Sequence, residues 1–100
     1  MQRFNDVLVE TIDEIIRNVF EDEIAKIIFR YLKTGSPLDK KVQIFSDVLP
    51  KILGEGHIII EDLILETLYS KYKLELKWKK DYSFTDYIMD LSKQVKKRES

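Results

Sequence analysis

The side chains in this chain that are able to do chemistry are a lone histidine, His57, and three groups of carboxylates. They are joined by several serines and a Gly-Glu-Gly stretch at 54–56. There is no cysteine, so thiolate metal sites, cysteine nucleophiles and disulfides are excluded. A histidine that binds metal or shuttles protons needs partner ligands or a second base, and no other His or Cys is present to serve. His57 also precedes a helical pattern, and the positive end of a helix dipole disfavours imidazolium. A neutral structural or exposed role is expected for it.

The carboxylates fall at Asp13/Glu14, at Glu21 to Glu23 and at Glu61/Asp62/Glu66. Di-metal helical bundles use Glu-x-x-His pairs on facing helices, and this sequence has none. The first two groups suit solvated faces or helix N-termini, and Glu61 and Asp62 suit a first helical turn. Ser36, Ser46, Ser70, Ser83 and Ser92 lack a nucleophile-elbow motif. No catalytic set, metal or cofactor is therefore expected. The glycines Gly54 and Gly56 fit neither the P-loop nor the dinucleotide fingerprint: no Lys, Ser or Thr follows, and Glu55 repels phosphate. A helix end at Gly54 and a tight turn through Gly56 account for both.

One surface stands out. Lys71, Lys73, Lys77, Lys79 and Lys80 interleave with Tyr72, Trp78, Tyr82 and Phe84, and residues 71–80 hold five lysines against one glutamate. Aromatic faces stack on bases while lysines follow phosphates. Equally, aromatics can cover a bundle while lysine stems lie along it. Only Arg98 represents arginine in the second half, and arginine is the preferred residue of nucleic-acid recognition. Lys71, Lys73, Lys77, Trp78, Lys79, Lys80 and Tyr82 are the candidate partner or nucleic-acid surface.

These residues are carried by a chain of 100 residues, 44% hydrophobic and 35% charged, with a net charge of −1. Such a chain is a folded, soluble unit with one modest core and no global attraction to nucleic acid or membrane. No apolar run exceeds three residues, and the first ten lack a signal-peptide core, so a cytoplasmic protein is expected. Thirteen Ile, thirteen Lys, no Cys and five Asn plus Gln lean towards a thermophile.

Apolar residues at steps of three and four define the elements. The first series runs Phe4, Leu8, Ile12, Ile15, Ile16, Val19, Phe20, Ile24, Ile27, Ile28, Tyr31. Its length and the acidic triplet 21–23 predict a break near 18–21, with Asn18 as a cap. Gly35 then ends a helix, and Ser36 caps the next, with Pro37 at its first position. That second series is Leu38, Val42, Phe45, Leu49, Ile52, Leu53, with Pro50 bending or ending it. After the glycines comes the most hydrophobic element, 58–72. It is expected to be the central helix, with Ile59, Ile60, Leu63, Ile64, Leu68 and Tyr72 on or beside one core-facing side that Leu65 and Tyr69 widen. At 72–80 the period changes to two, as in a half-buried strand; without a partner strand it must be an extended arm or a pairing edge. SFTD at 83–86 reads as a capping box opening a final helix of Phe84, Tyr87, Ile88, Leu91 and Val95.

The stretches IIFRYL (27–32), IFSDVL (44–49), ILGEGH (52–57) and EDLILETLY (61–69) together resemble the small archaeal Nitrosopumilus output domain five family, over about residues 11–76. The resemblance implies an all-helical module, found alone or joined to signalling and transcription-related proteins, with an undefined output role and no catalytic residue. The link at 33–38 is shorter than the family pattern, and 78–100 lies outside it.

Together these readings predict one all-α domain over 1–100: a compact bundle of four helices, five if the first series breaks, with an extended arm near 72–80. The leading expected function is a non-enzymatic archaeal regulatory module, a subunit or output domain of a signalling, transcription or replication complex, with a protein partner or a homodimer. An accessory nucleic-acid binder and a bundle enclosing a small apolar ligand are the alternatives.

Overall fold

A computed structural model of the chain describes residues 3–32 and 37–99. The helix stop expected at Gly35 and the cap expected at Ser36 lie outside them. The fold is all-α: α1 (Phe4–Val19), α2 (Asp22–Leu32), α3 (Leu38–Leu53), a 3₁₀ turn (Gly54–Gly56), α4 (His57–Lys71) and α5 (Phe84–Glu99). Among the described residues there is no strand, and no helix is long and apolar enough to cross a membrane. The radius of gyration, 13.0 Å, equals the ~13 Å of a compact chain of this length.

The first apolar series breaks at Phe20, whose backbone is extended, inside the expected interval. Asn18 stays within α1 and does not cap; the Glu21 carbonyl accepts the first bonds of α2, from Ile24 and Ala25. Asp22 and Glu23 occupy the first turn, where the helix dipole favours them. The break also shifts the phase of the buried stripe. α1 buries Phe4, Leu8, Ile12, Ile15 and Ile16, but α2 buries Ala25, Ile28 and Leu32, so Val19, Ile27 and Tyr31 face outwards.

Pro37 lies just before the first helical residue, Leu38. Pro50 neither ends α3 nor stops its packing. The helix continues one turn to Leu53, and the Pro50 carbonyl accepts from Gly54 N–H. Gly54 then adopts φ 61, ψ −141, a mirror-image extended conformation that glycine alone adopts readily. The glycines join two helices, as expected.

α4 packs against α1, α3 and α5, and buries Ile60, Ile64, Leu65, Leu68 and Tyr69. Ile59 and Leu63 were expected in this core and are exposed instead, at 71% and 39%. Apolar residues surround α4 on every side, so spacing alone does not select the inward face. The neighbours do, and they cover the Ile60–Ile64–Leu68 side.

α4 ends in a Schellman motif: Leu74 N–H donates to Tyr69 C=O at 2.9 Å and Lys73 N–H to Ser70 C=O at 3.0 Å. The left-handed position, usually glycine, is Lys73, with φ 56. A side chain there is strained by about 1–2 kcal/mol. Lys73→Gly is therefore expected to leave the protein as stable as the parent or up to about 1 kcal/mol more stable in urea unfolding, despite glycine's extra chain entropy. A clear loss of stability would show that the turn is held differently.

From Tyr72 to Tyr82 the chain is an extended arm on the surface of the bundle. Tyr72, Leu74 and Leu76 pack against the core while Lys73, Glu75 and Lys77 are exposed, so the period of two has its predicted cause. Phe4 and Tyr72 hold its root, with ring centroids 5.9 Å apart, and Arg98 donates to the Tyr72 carbonyl at 2.9 Å. α5 then opens with the reciprocal capping box: Asp86 N–H to Ser83 Oγ, 3.1 Å, and Ser83 N–H to Asp86 Oδ2, 3.0 Å. Its Phe84, Tyr87, Ile88, Leu91 and Val95 all join the core, making this helix integral to the fold.

Candidate functional site

The lysines of the candidate surface lie among carboxylates. Lys71 turns towards α1, donating to Thr11 Oγ1 at 2.8 Å and approaching Glu14 at 3.4 Å. Lys79 lies 3.4 Å from Asp90 and 4.8 Å from the centre of the Tyr82 ring, and Tyr82 and then Asp90 raise its pKa above the ordinary lysine value. Lys80 shares its groove with Asp81, Asp86 and Asp90, and Lys77 shares another with Glu75 and Asp90. A strand of phosphates following these lysines would meet as many carboxylates.

Three of the candidate residues, Trp78, Lys79 and Tyr82, line one cleft together with residues of α3, α4 and α5. Trp78 and Tyr82 were expected to cover the bundle or stack on a ligand; they are 55% and 38% exposed at the edge of this cleft of about 450 Å³. Trp78 thus departs from the alternation that buries Leu74 and Leu76. Its ring meets Tyr87 edge-on at 5.7 Å, and Tyr82 meets the same Tyr87 at 5.0 Å. Edge-to-face contacts of this kind fix ring orientation. The first turns of α4 contribute His57, Ile58, Glu61 and Asp62 to the lining, with Ser46 of α3 and Phe84 of α5.

The arm is fastened here by one hydroxyl. Tyr87 OH accepts from Lys79 N–H at 2.6 Å and donates to Lys79 C=O at 3.0 Å. The next turn closes through Tyr82 N–H to Lys79 C=O at 3.4 Å, with Asp81 in a left-handed conformation at φ 65. Tyr87→Phe removes the acceptor of Lys79 N–H and one of the two donors to its carbonyl while keeping the ring. It is expected to destabilise the protein by about 1–3 kcal/mol and to speed amide exchange along 77–82 more than in α1. Unchanged exchange at the arm would refute the clamp.

His57 and Glu61, one helical turn apart, are hydrogen-bonded through Nδ1 and Oε1, and both are largely shielded from solvent. Burial pushes the Glu61 carboxyl above its ordinary value, and the bond to His57 works against that shift. The i, i+4 spacing of the pair is visible in the sequence. What it borders is not, because Trp78 and Tyr82 approach it only through the fold. Asp62 lies beside it with no ion-pair partner among the described residues. Ser46 shares the cleft, but the histidine's hydrogen bond goes to Glu61. No group of three or more His, Asp or Glu side chains suited to a metal occurs among the described residues. The arrangement is a recess built from α3, α4, α5 and the arm, lined mainly by aromatic and aliphatic side chains with two carboxylates among them.

Comparison with protein-family models, with curated proteins and with solved structures finds no match for this chain.

Proposed function

We propose that the protein is a non-enzymatic interaction module, a subunit or output domain of a regulatory complex of the signalling, transcription or replication kind. The reading rests on one observation: the arm is tied to the bundle by Leu74, Leu76 and the Tyr87 hydroxyl, yet it holds Trp78 and Tyr82 exposed beside a cleft. Large aromatic rings kept rigid and half in water are the typical anchors of protein interfaces. Ile58 and Ile59, 56% and 71% exposed on the adjoining turn of α4, extend the apolar area beyond the cleft. The resemblance to a family of output domains points the same way. The carboxylates among the lysines of 71–93 favour a protein surface over a nucleic acid as the counterpart.

Affinity purification from the native host, with the parent and with a Trp78→Ala, Tyr82→Ala variant compared by mass spectrometry, tests the proposal. Proteins retained by the parent are expected to be lost from the variant while its circular dichroism remains helical. Identical retention by both would end this reading. Side-chain replacement is the right tool, since truncation at 78 would strip α5 from the core.

A further inference from the structure

The cleft carries a second message, in its charges. Among the described residues Lys79 is the one lysine or arginine lining it, and Asp90 answers that charge from outside the cleft. Glu61 is engaged by a histidine, and Asp62 has no ion-pair partner among the described residues. The recess therefore holds one carboxylate without an ion-pair partner, Asp62, and one shared with His57, Glu61, in a lining that also includes the exposed Trp78 and Tyr82 rings. Rings of this kind attract ammonium and guanidinium groups through their faces. The protein already displays the interaction, since its own Lys79 ammonium lies 4.8 Å from the centre of the Tyr82 ring.

We propose that the cleft receives a lysine or arginine side chain from a partner protein, its cationic head at Glu61 and Asp62 and its aliphatic stem along Trp78 and Ile58. This rests on the interaction-module reading above and names the chemistry of its partner. A long cationic side chain matches the lining because it is itself divided, an apolar stem ending in a charge. A phosphate or an acidic peptide is repelled by the same two carboxylates. A free small cation would leave Ile58 and Ile59 in water, whereas a polypeptide carrying the cation covers them.

Trp78 is the only tryptophan, so its fluorescence reports on this cleft alone. The full chain is titrated with three blocked nonapeptides of Gly and Ser around a central Ile-Lys, Ile-Arg or Ile-Glu pair. The Lys and Arg peptides are expected to shift the emission saturably, more weakly as salt rises, and the Glu peptide is expected to leave it unchanged. Asp62→Asn together with Glu61→Gln should weaken the response about tenfold or more. If the double variant does not fold, Asp62→Asn alone, on a half-exposed side chain, gives the same test. An equal response to the Glu peptide, no response to any peptide, or undiminished binding by the variant overturns the proposal. The host purification separates the two levels. Partners lost on Trp78→Ala but kept by Asp62→Asn leave the module reading standing and reject the cationic side chain. Partners kept by Trp78→Ala reject the module reading itself.

Discussion

Leu68→Ala is expected to destabilise the protein by about 2–5 kcal/mol, lowering the thermal midpoint by about 10 °C or more. Leu68 is fully buried in α4 between α1 and α5, with Leu8, Ile12, Leu65 and Ile88 among the buried residues of the same core. Removing three carbons there loses the transfer free energy of the side chain and leaves a cavity, because helices packed from several sides cannot close the gap. Leu63→Ala is the matched control. It removes the same atoms from the same helix, but Leu63 is 39% exposed. Its expected effect is under about 1 kcal/mol. Equal losses for the two variants, measured by thermal or urea unfolding, would mean that α4 is rotated from the orientation described.

The second large effect is expected at the joint between α3 and α4. Gly54→Ala should destabilise by about 1–3 kcal/mol, although a methyl group built there meets no atom within 4 Å. The penalty is conformational. At φ 61 and ψ −141 an L-residue collides with its own backbone, so the turn must shift or the strain must be stored. Gly56, at φ −63 and ψ −13, has an ordinary helical backbone and open space around it. Gly56→Ala is expected to be neutral or to stabilise by up to about 1 kcal/mol, through a less flexible unfolded chain. A phosphate-binding loop would instead need both glycines for close backbone approach, and the asymmetry of the two variants separates these roles. Equal tolerance of alanine at both positions would contradict the backbone geometry.

Much of the architecture was legible from local chemistry. The break between α1 and α2, the capping box at Ser83 and Asp86, the glycine at the end of α3 and the alternation along the arm each arise within a few residues. For the break, the capping box and the glycine the causes are hydrogen bonds and dipoles that the chain satisfies locally, and the arm alternates because every second side chain packs on the core. The stripes of α3 and α5 were also readable, because each carries apolar residues on one side only. Less legible was the phase of α2 after the break: a continuous count puts Ile27 and Tyr31 inwards, whereas the short extended step at Phe20 turns Ala25, Ile28 and Leu32 to the core. α4 resisted for a different reason, since a helix that is apolar on most sides does not say which side its neighbours will cover.

The candidate site divides along the same line. Trp78, Lys79 and Tyr82 were recognisable from residue type, whereas the His57–Glu61 pair was missed although its i, i+4 spacing stands in the sequence. Their assembly into one cleft was not legible, for they come from segments about 20 residues apart that only tertiary packing brings together. Nor did residue order reveal that Lys71 is diverted to Thr11 and Glu14, or that Lys79 is answered by Asp90. By itself, then, the sequence determined which stretches become helices, the break between α1 and α2, the joint between α3 and α4, the start of α5, and that the stretch after α4 is extended. The tertiary structure alone decided which apolar residues stay exposed, which charges are neutralised and which aromatics border the recess. The physical reason is range: backbone hydrogen bonding and helix periodicity are satisfied among near neighbours, whereas burial and charge pairing depend on what other segments place alongside.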